Sequence, residues 1–154
     1  MKSSKTRAIL LVLGVVIILV AIVAVVKRDT IADLILRGGD ISLTGEDARN
    51  SSQARLAVDF LVALRAGDKD AIARLSTAEQ VARIQQETQQ PTAESQQLRA
   101  LMLADLPADP AALRERIKTV QTHADRAVVL FETKANSWFV QLTRGNDGWK
   151  VSGF

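Results

Sequence analysis

The chain of 154 residues contains no cysteine and no tyrosine, and it has one histidine, His123. The absence of cysteine excludes disulfides, thiolate metal sites and cysteine nucleophiles. His123 lies in a predicted turn, where a solvated loop histidine is the favoured interpretation over a general base. We therefore predict that the protein is not an enzyme and that it needs neither a metal nor a cofactor.

Two carboxylates next to aromatic residues are the remaining candidates for acid-base chemistry. Asp59 precedes Phe60 in a predicted helix, and Glu132 follows Phe131 in a predicted strand. Either could face the interior, but exposed or ion-paired positions are the favoured interpretation. Motifs for phosphate binding, acyl transfer and zinc chemistry do not occur in the sequence.

Positive charge is concentrated at the beginning of the chain. The net charge is +3, and residues 1–28 contain five Lys or Arg and no acid, which leaves 15 basic against 17 acidic side chains in the remainder. A domain with this balance lacks the basic surface that binds phosphate backbones. We predict no nucleic-acid partner.

Residues 8–26 form one uninterrupted apolar run of 19 residues, of which 15 are Ile, Leu or Val. As a helix the run would be about 28 Å long, close to the hydrocarbon thickness of a bilayer. It is longer than the apolar part of a cleaved signal peptide, and Lys27 and Arg28 follow it directly. We predict an uncleaved membrane anchor over residues 1–28, in which residues 8–26 contact the lipid bilayer.

The basic residues that flank the run indicate its orientation. Three precede it and two follow it, a small excess that favours a cytoplasmic N-terminus. The predicted location is the inner cell membrane, as a single-pass protein with an extracytoplasmic domain. Residues 29–49 are then a juxtamembrane connector. Its apolar residues Ile31, Leu34 and Ile35 continue the anchor helix, lie on the headgroups, or dock another membrane subunit.

Helical patterns fill the first half of the remaining chain. Apolar residues recur at helical spacing over residues 46–66, Gly67 is typical of a helix end, and Asp68 is typical of the N-cap of a second helix. Ser76 or Thr77 then offers a capping box for a third helix. Residues 80–97 are rich in glutamine and predict an exposed helix or a poorly ordered excursion, and Asp109-Pro110 is typical of another helix start.

The period changes to alternation in the last third of the chain. Residues 117–122, 126–133, 137–144 and 149–154 are predicted strands, separated by short polar turns. Helices followed by a meander indicate an α+β fold in which helices cover one face of an antiparallel sheet.

Two segments carry a family resemblance, AVDFLVALRAGDKDAIARLST at residues 57–77 and FVQLTRGNDGWKVSGF at residues 139–154. Together they make residues 50–154 resemble the NTF2-like superfamily, and within it the lumazine-binding-like extracytoplasmic domains of unknown function. The resemblance implies helices packed on a curved antiparallel sheet that forms a cone with an internal cavity. In similar bitopic accessory proteins such a domain serves assembly rather than chemistry.

The sequence is compatible with two functions. The first is a scaffold or accessory subunit of a cell-envelope complex, with a protein partner, an interior filled by its own side chains and an exposed apolar strip. The second is a binding module for a small apolar or lipid-like molecule in the cone cavity. The candidates to line such a cavity are Phe60, Phe131, Trp138, Phe139 and Trp149. Packing in the core of the sheet is the favoured interpretation of the aromatic residues in the strands, and the cavity is the alternative.

Overall fold

The computed structural model describes residues 41–154, which fold as a unit of five strands and six helices. The predicted anchor and the docking candidates Ile31, Leu34 and Ile35 lie outside the described residues. Within residues 41–154, no helix combines the length and the apolar character needed to cross a membrane. The elements are β1 (Ile41–Thr44), α1 (Gly45–Asn50), α2 (Ser52–Ala66), α3 (Lys69–Leu75), α4 (Ala78–Gln89), α5 (Ala93–Asp105), α6 (Pro110–Glu115), β2 (Ile117–His123), β3 (Arg126–Glu132), β4 (Ser137–Gly145) and β5 (Gly148–Gly153).

The five strands form one curved sheet in the order β1-β2-β3-β4-β5, with every neighbouring pair antiparallel. Strands β2 to β5 are the meander that the alternating pattern predicts. The helices pack on one face of this sheet, and α2 contacts β2, β3 and β5. The predicted α+β class, with helices on a curved antiparallel sheet, is confirmed.

The beginning of the domain differs from the prediction in two respects. Residues 41–49, assigned to the connector, contain β1, which pairs with β2, and most of α1. The helix expected over residues 46–66 is interrupted at Ser51, whose backbone is extended. Its hydroxyl donates to the Ala48 carbonyl at 2.8 Å and accepts from the Ala54 amide at 3.1 Å. These local bonds end α1 and begin α2, as serine at an N-cap favours.

The helix hairpin after α2 has the capping residues that the sequence predicts. Gly67 ends α2 in the left-handed conformation, with φ of 68°. Asp68 then begins α3, and its Oδ1 accepts from the Ala71 amide at 2.9 Å. Of the two candidate caps for the next helix, Thr77 is the one used, since its hydroxyl accepts from the Gln80 amide at 3.2 Å.

The glutamine-rich region is helical and forms α4 and the first part of α5. Most of α5 is exposed, and Leu98 and Leu101 are each about half exposed. The C-terminal end of α5 is tied to α2 by Arg65, whose Nη2 donates to the carbonyls of Leu103 at 2.8 Å and Leu106 at 2.9 Å. Leu103 lies in the last turn of α5 and Leu106 is its C-cap, and carbonyls at a helix C-terminus lack partners within the helix.

The core lies between α2 and the covered face of the sheet. Along β3, Ala127, Val129 and Phe131 point to this face, and along β4, Val140 and Leu142 do so. The alternation follows from the pleat, which turns successive side chains to opposite faces. The opposite face of these strands, which carries Val128, Leu130 and Phe139, is the outer face.

Candidate functional site

Four of the five aromatic cavity candidates lie on the covered side of the sheet, and the fifth lies on its outer face. Phe60 and Phe131 have no exposed surface and belong to the core. Trp138 pairs with Phe131 across β3 and β4, and Trp149 is partly buried against the same core. Phe139 follows Trp138 in β4 and therefore points to the outer face, where it pairs with Leu130. The five side chains do not share one cavity.

Phe60 packs against Phe154 in the core. Its ring centroid lies 5.2 Å from that of Phe154, and the two planes are tilted by 56°. This geometry is a favourable aromatic contact. At the other end of the covered face, the Arg144 guanidinium lies 5.9 Å from the Trp149 ring centroid, within the range of a cation–π interaction.

A polar cluster around Asp105 joins the end of α5 to the turn between β3 and β4. Asp105 Oδ2 accepts hydrogen bonds from Trp138 Nε1 at 2.6 Å, Thr133 Oγ1 at 2.7 Å and Asn136 Nδ2 at 3.1 Å. The pKa of the Asp105 carboxyl lies below its usual 3.8. The main cause is the hydrogen bond from Trp138, followed by those from Thr133 and Asn136, and the nearby positive charge of Arg116 lowers the pKa further. The cluster therefore contains an ionised carboxylate at neutral pH.

The outer face has an apolar centre. Cross-strand pairing places Leu130 between Thr119 of β2 and Phe139 of β4, and places Val128 between Gln121 and Gln141. Leu130 and Phe139 are half-buried, and Val128 is 5 % exposed although it lies outside the main core cluster. Two aliphatic side chains and one aromatic side chain are thus adjacent on a face opposite the helices.

Charged side chains lie at the two ends of this face. Arg126 is exposed at the first position of β3 and pairs across to Thr143. Lys150 of β5 pairs with Thr143, but its ammonium donates to the Arg74 carbonyl of α3. At the other end of β3, Glu132 forms a 2.7 Å ion pair with Lys118. The outer face therefore has a basic end, an apolar centre and an ion-paired end.

The candidates for acid-base chemistry lie at the surface. Asp59 is exposed on α2, and Glu132 is exposed in its ion pair with Lys118. His123 is exposed at the end of β2, opposite Arg126. Among residues 41–154, no group of three or more His, Cys, Asp or Glu side chains is placed to hold a metal ion.

Two features were not predicted from the sequence. The Asp105 cluster joins residues 33 positions apart, and no periodic pattern signals that contact. A cavity between α3 and α4 was also missed, although the spacing of Val81, Ile84, Gln85 and Thr88 on one side of a helix is a signal for a shared lining. Neither a protein-family model, nor a curated protein, nor a solved structure matches this chain.

Proposed function

We propose that this protein is a non-catalytic, single-pass membrane protein that presents its extracytoplasmic domain as a scaffold or accessory subunit of a cell-envelope complex. The outer face of the sheet carries the proposal. Its centre of Val128, Leu130 and Phe139 is apolar, and charged residues lie beyond it. Protein interfaces combine a desolvated apolar or aromatic centre with a polar rim. We assign this face to a partner protein.

The order of charges along β3 specifies what kind of partner surface fits. Arg126 at the basic end favours a partner carboxylate, whereas Glu132 at the other end is already paired with Lys118. Complementary charges at a rim set the orientation and the rate of association more than the affinity. The partner is expected to present an apolar patch with an acidic residue beside it.

The filled interior supports a scaffold over a binder of apolar molecules in the cone. A binder needs open space among its aromatic side chains, whereas Phe60 and Phe131 have no exposed surface and Phe60 contacts Phe154. Trp138 has its indole N–H bound to Asp105. Phe60 and Phe131 are thus used in core packing, and Trp138 fixes α5 to the sheet.

The apolar run at residues 8–26 supplies the membrane part of the proposal. An anchor would hold the domain close to other membrane proteins, which raises the effective concentration of a partner. A face of modest apolar area would then suffice for stable association. Membrane insertion and orientation are tested by adding protease to intact spheroplasts, where an extracytoplasmic domain is digested.

Site-specific photo-cross-linking in living cells tests the assignment of the outer face. A photoreactive phenylalanine replaces Phe139 in the full-length protein, and a matched chain carries it at Gln97, an exposed position on α5. We expect a discrete adduct with an envelope protein from position 139 that is absent from position 97. Equal adduct patterns from both positions, or none from position 139, would remove the outer face as the docking site.

A further inference from the structure

A second feature of the domain is a cavity of about 310 Å3 between α3 and α4. Its apolar lining consists of Ile72, Val81 and Ile84. Ile72 and Ile84 are buried members of the core, and Val81 is half-buried. The volume lies at the lower end of the range of about 300–1,000 Å3 that small-molecule pockets occupy. The three lining side chains are aliphatic, so the cavity fits a flexible alkyl chain.

Among the residues that line the cavity, the charged one is Lys69, which is positive. Lys69 is the first residue of α3 and is exposed at the cavity, and no Asp or Glu belongs to the lining. Within residues 41–154, the Lys69 ammonium donates no hydrogen bond and forms no ion pair. Its ammonium is therefore available to a ligand anion, while its aliphatic stem can cover apolar surface.

Uncharged donors complete the polar side of the cavity. Gln85 and Gln89 lie one turn apart on α4, so their amides are neighbours on the helix surface. Thr88, between them, donates its hydroxyl to the Ile84 carbonyl at 2.8 Å. The glutamine amides belong to the same lining as Lys69 and supply further hydrogen-bond donors.

We propose that this cavity binds a small alkyl monocarboxylate, such as a medium-chain fatty acid. The alkyl chain lies against Ile72, Val81 and Ile84, and the carboxylate lies between Lys69 and the amide of Gln85 or Gln89. A single cation matches a single negative charge, and an apolar lining with few polar groups is the usual form of such a site. The inference is independent of the proposed scaffold role, because the cavity and the outer face consist of different residues.

Methyl NMR of the full-length protein in zwitterionic phosphatidylcholine nanodiscs tests the proposal. Isoleucine methyls are labelled, and hexanoate, octanoate and decanoate are titrated in turn. We expect the signals of Ile72 and Ile84 to shift saturably while those of Ile41 and Ile117 stay in place. Affinity should rise by about two- to fourfold for each added methylene that the cavity buries. If the signals of Ile72 and Ile84 do not move at the highest decanoate concentration used, the proposal is overturned.

Four variants separate the alkyl and carboxylate parts of the site. Val81→Trp fills the cavity and is expected to abolish the shifts, whereas Ala82→Trp, on the exposed side of the same helix, leaves them. Lys69→Glu is expected to weaken decanoate binding by about tenfold and leave decanol binding unchanged. The control Lys134→Glu, at an exposed turn, leaves both unchanged.

The source of the anion is tested with a second membrane composition. Nanodiscs that contain phosphatidylglycerol are compared with those of phosphatidylcholine, without added fatty acid. Unchanged Ile72 and Ile84 signals support a free carboxylate as the ligand. Shifts of these two signals in phosphatidylglycerol would overturn that choice in favour of a lipid headgroup, and equal decanoate affinity in Lys69→Glu would overturn the role of Lys69.

Discussion

Trp138 Nε1 donates a 2.6 Å hydrogen bond to Asp105 Oδ2, which joins β4 to the C-terminal end of α5. Because Thr133 and Asn136 donate to the same oxygen, this carboxylate fixes three groups of the β3–β4 region at one point. Its loss leaves those donors without their acceptor. The bond therefore offers a direct test of how α5 is held on the domain.

Asp105→Asn should lower the free energy of unfolding at neutral pH, because an amide oxygen accepts these bonds less strongly than a carboxylate. Asp125→Asn, at an exposed turn, is the matched control and should have little effect. Urea denaturation of the full-length protein in detergent, followed by tryptophan fluorescence, measures both. Equal stability of the two variants would show that the cluster contributes nothing.

The stability that the Asp105 carboxylate contributes should depend on pH in the acid range. Its pKa is below 3.8 in the folded state, so its contribution to stability is present above that value and is lost as the pH falls through the folded-state pKa. The stability difference between wild type and Asp105→Asn should therefore shrink as the pH falls below 3.8. Parallel curves over this range would contradict the assignment.

Phe131 and Phe139 lie on opposite faces of the sheet, and their replacement should have different consequences. Phe131→Ala removes a fully buried ring and should cost about 3–5 kcal/mol in unfolding free energy. Phe139→Ala removes a half-buried ring paired with Leu130 and should cost about 1 kcal/mol. Denaturant titration distinguishes the two, and equal losses would contradict the division into a covered and an outer face.

Gly67 adopts φ of 68° at the end of α2, and a Cβ added there would meet no atom within 4 Å. Gly67→Ala should therefore cost about 1–2 kcal/mol through backbone strain alone. Gly67→Asn should cost less, because asparagine tolerates this conformation better. Thermal unfolding of both variants checks the order, and an alanine variant as stable as wild type would contradict it.

Gln80 is 2 % exposed, and its Nε2 has no hydrogen-bond partner within residues 41–154. Leucine has a similar size and no polar atom to bury. Gln80→Leu should therefore raise the free energy of unfolding by about 1 kcal/mol or more. A loss of stability in chemical denaturation would show that the amide makes a bond that stabilises the domain.

The local features of the fold could be predicted from the sequence because they depend on neighbouring residues. Gly67, Asp68 and Asp109 end or begin helices through their own backbone preferences and short side chains. Strands β2 to β5 could be predicted because alternation shows which side chains face the core. The break at Ser51 was missed, although Asn50, Ser51 and Ser52 are residue types that favour a helix N-cap.

Contacts between distant residues set the limit of the prediction. The short strand β1 has few residues, and its pairing with β2 is set by tertiary packing rather than by a pattern in ISLT. Phe139 is a different case, because its place next to Trp138 in β4 already puts the two side chains on opposite faces of the sheet. The α3–α4 cavity is lined by residues of two helices, and the spacing within α4 alone does not fix how they pack.

The proposed binding of an envelope protein to the outer face is tested most directly by affinity purification of the full-length protein in mild detergent. Wild type and Phe139→Asp are compared, with mass spectrometry of co-purifying proteins and of retained small molecules. We expect a stoichiometric envelope protein with wild type that is lost with Phe139→Asp while the domain stays folded. A wild-type protein that purifies without a partner, or a partner that Phe139→Asp retains in full, would contradict the account.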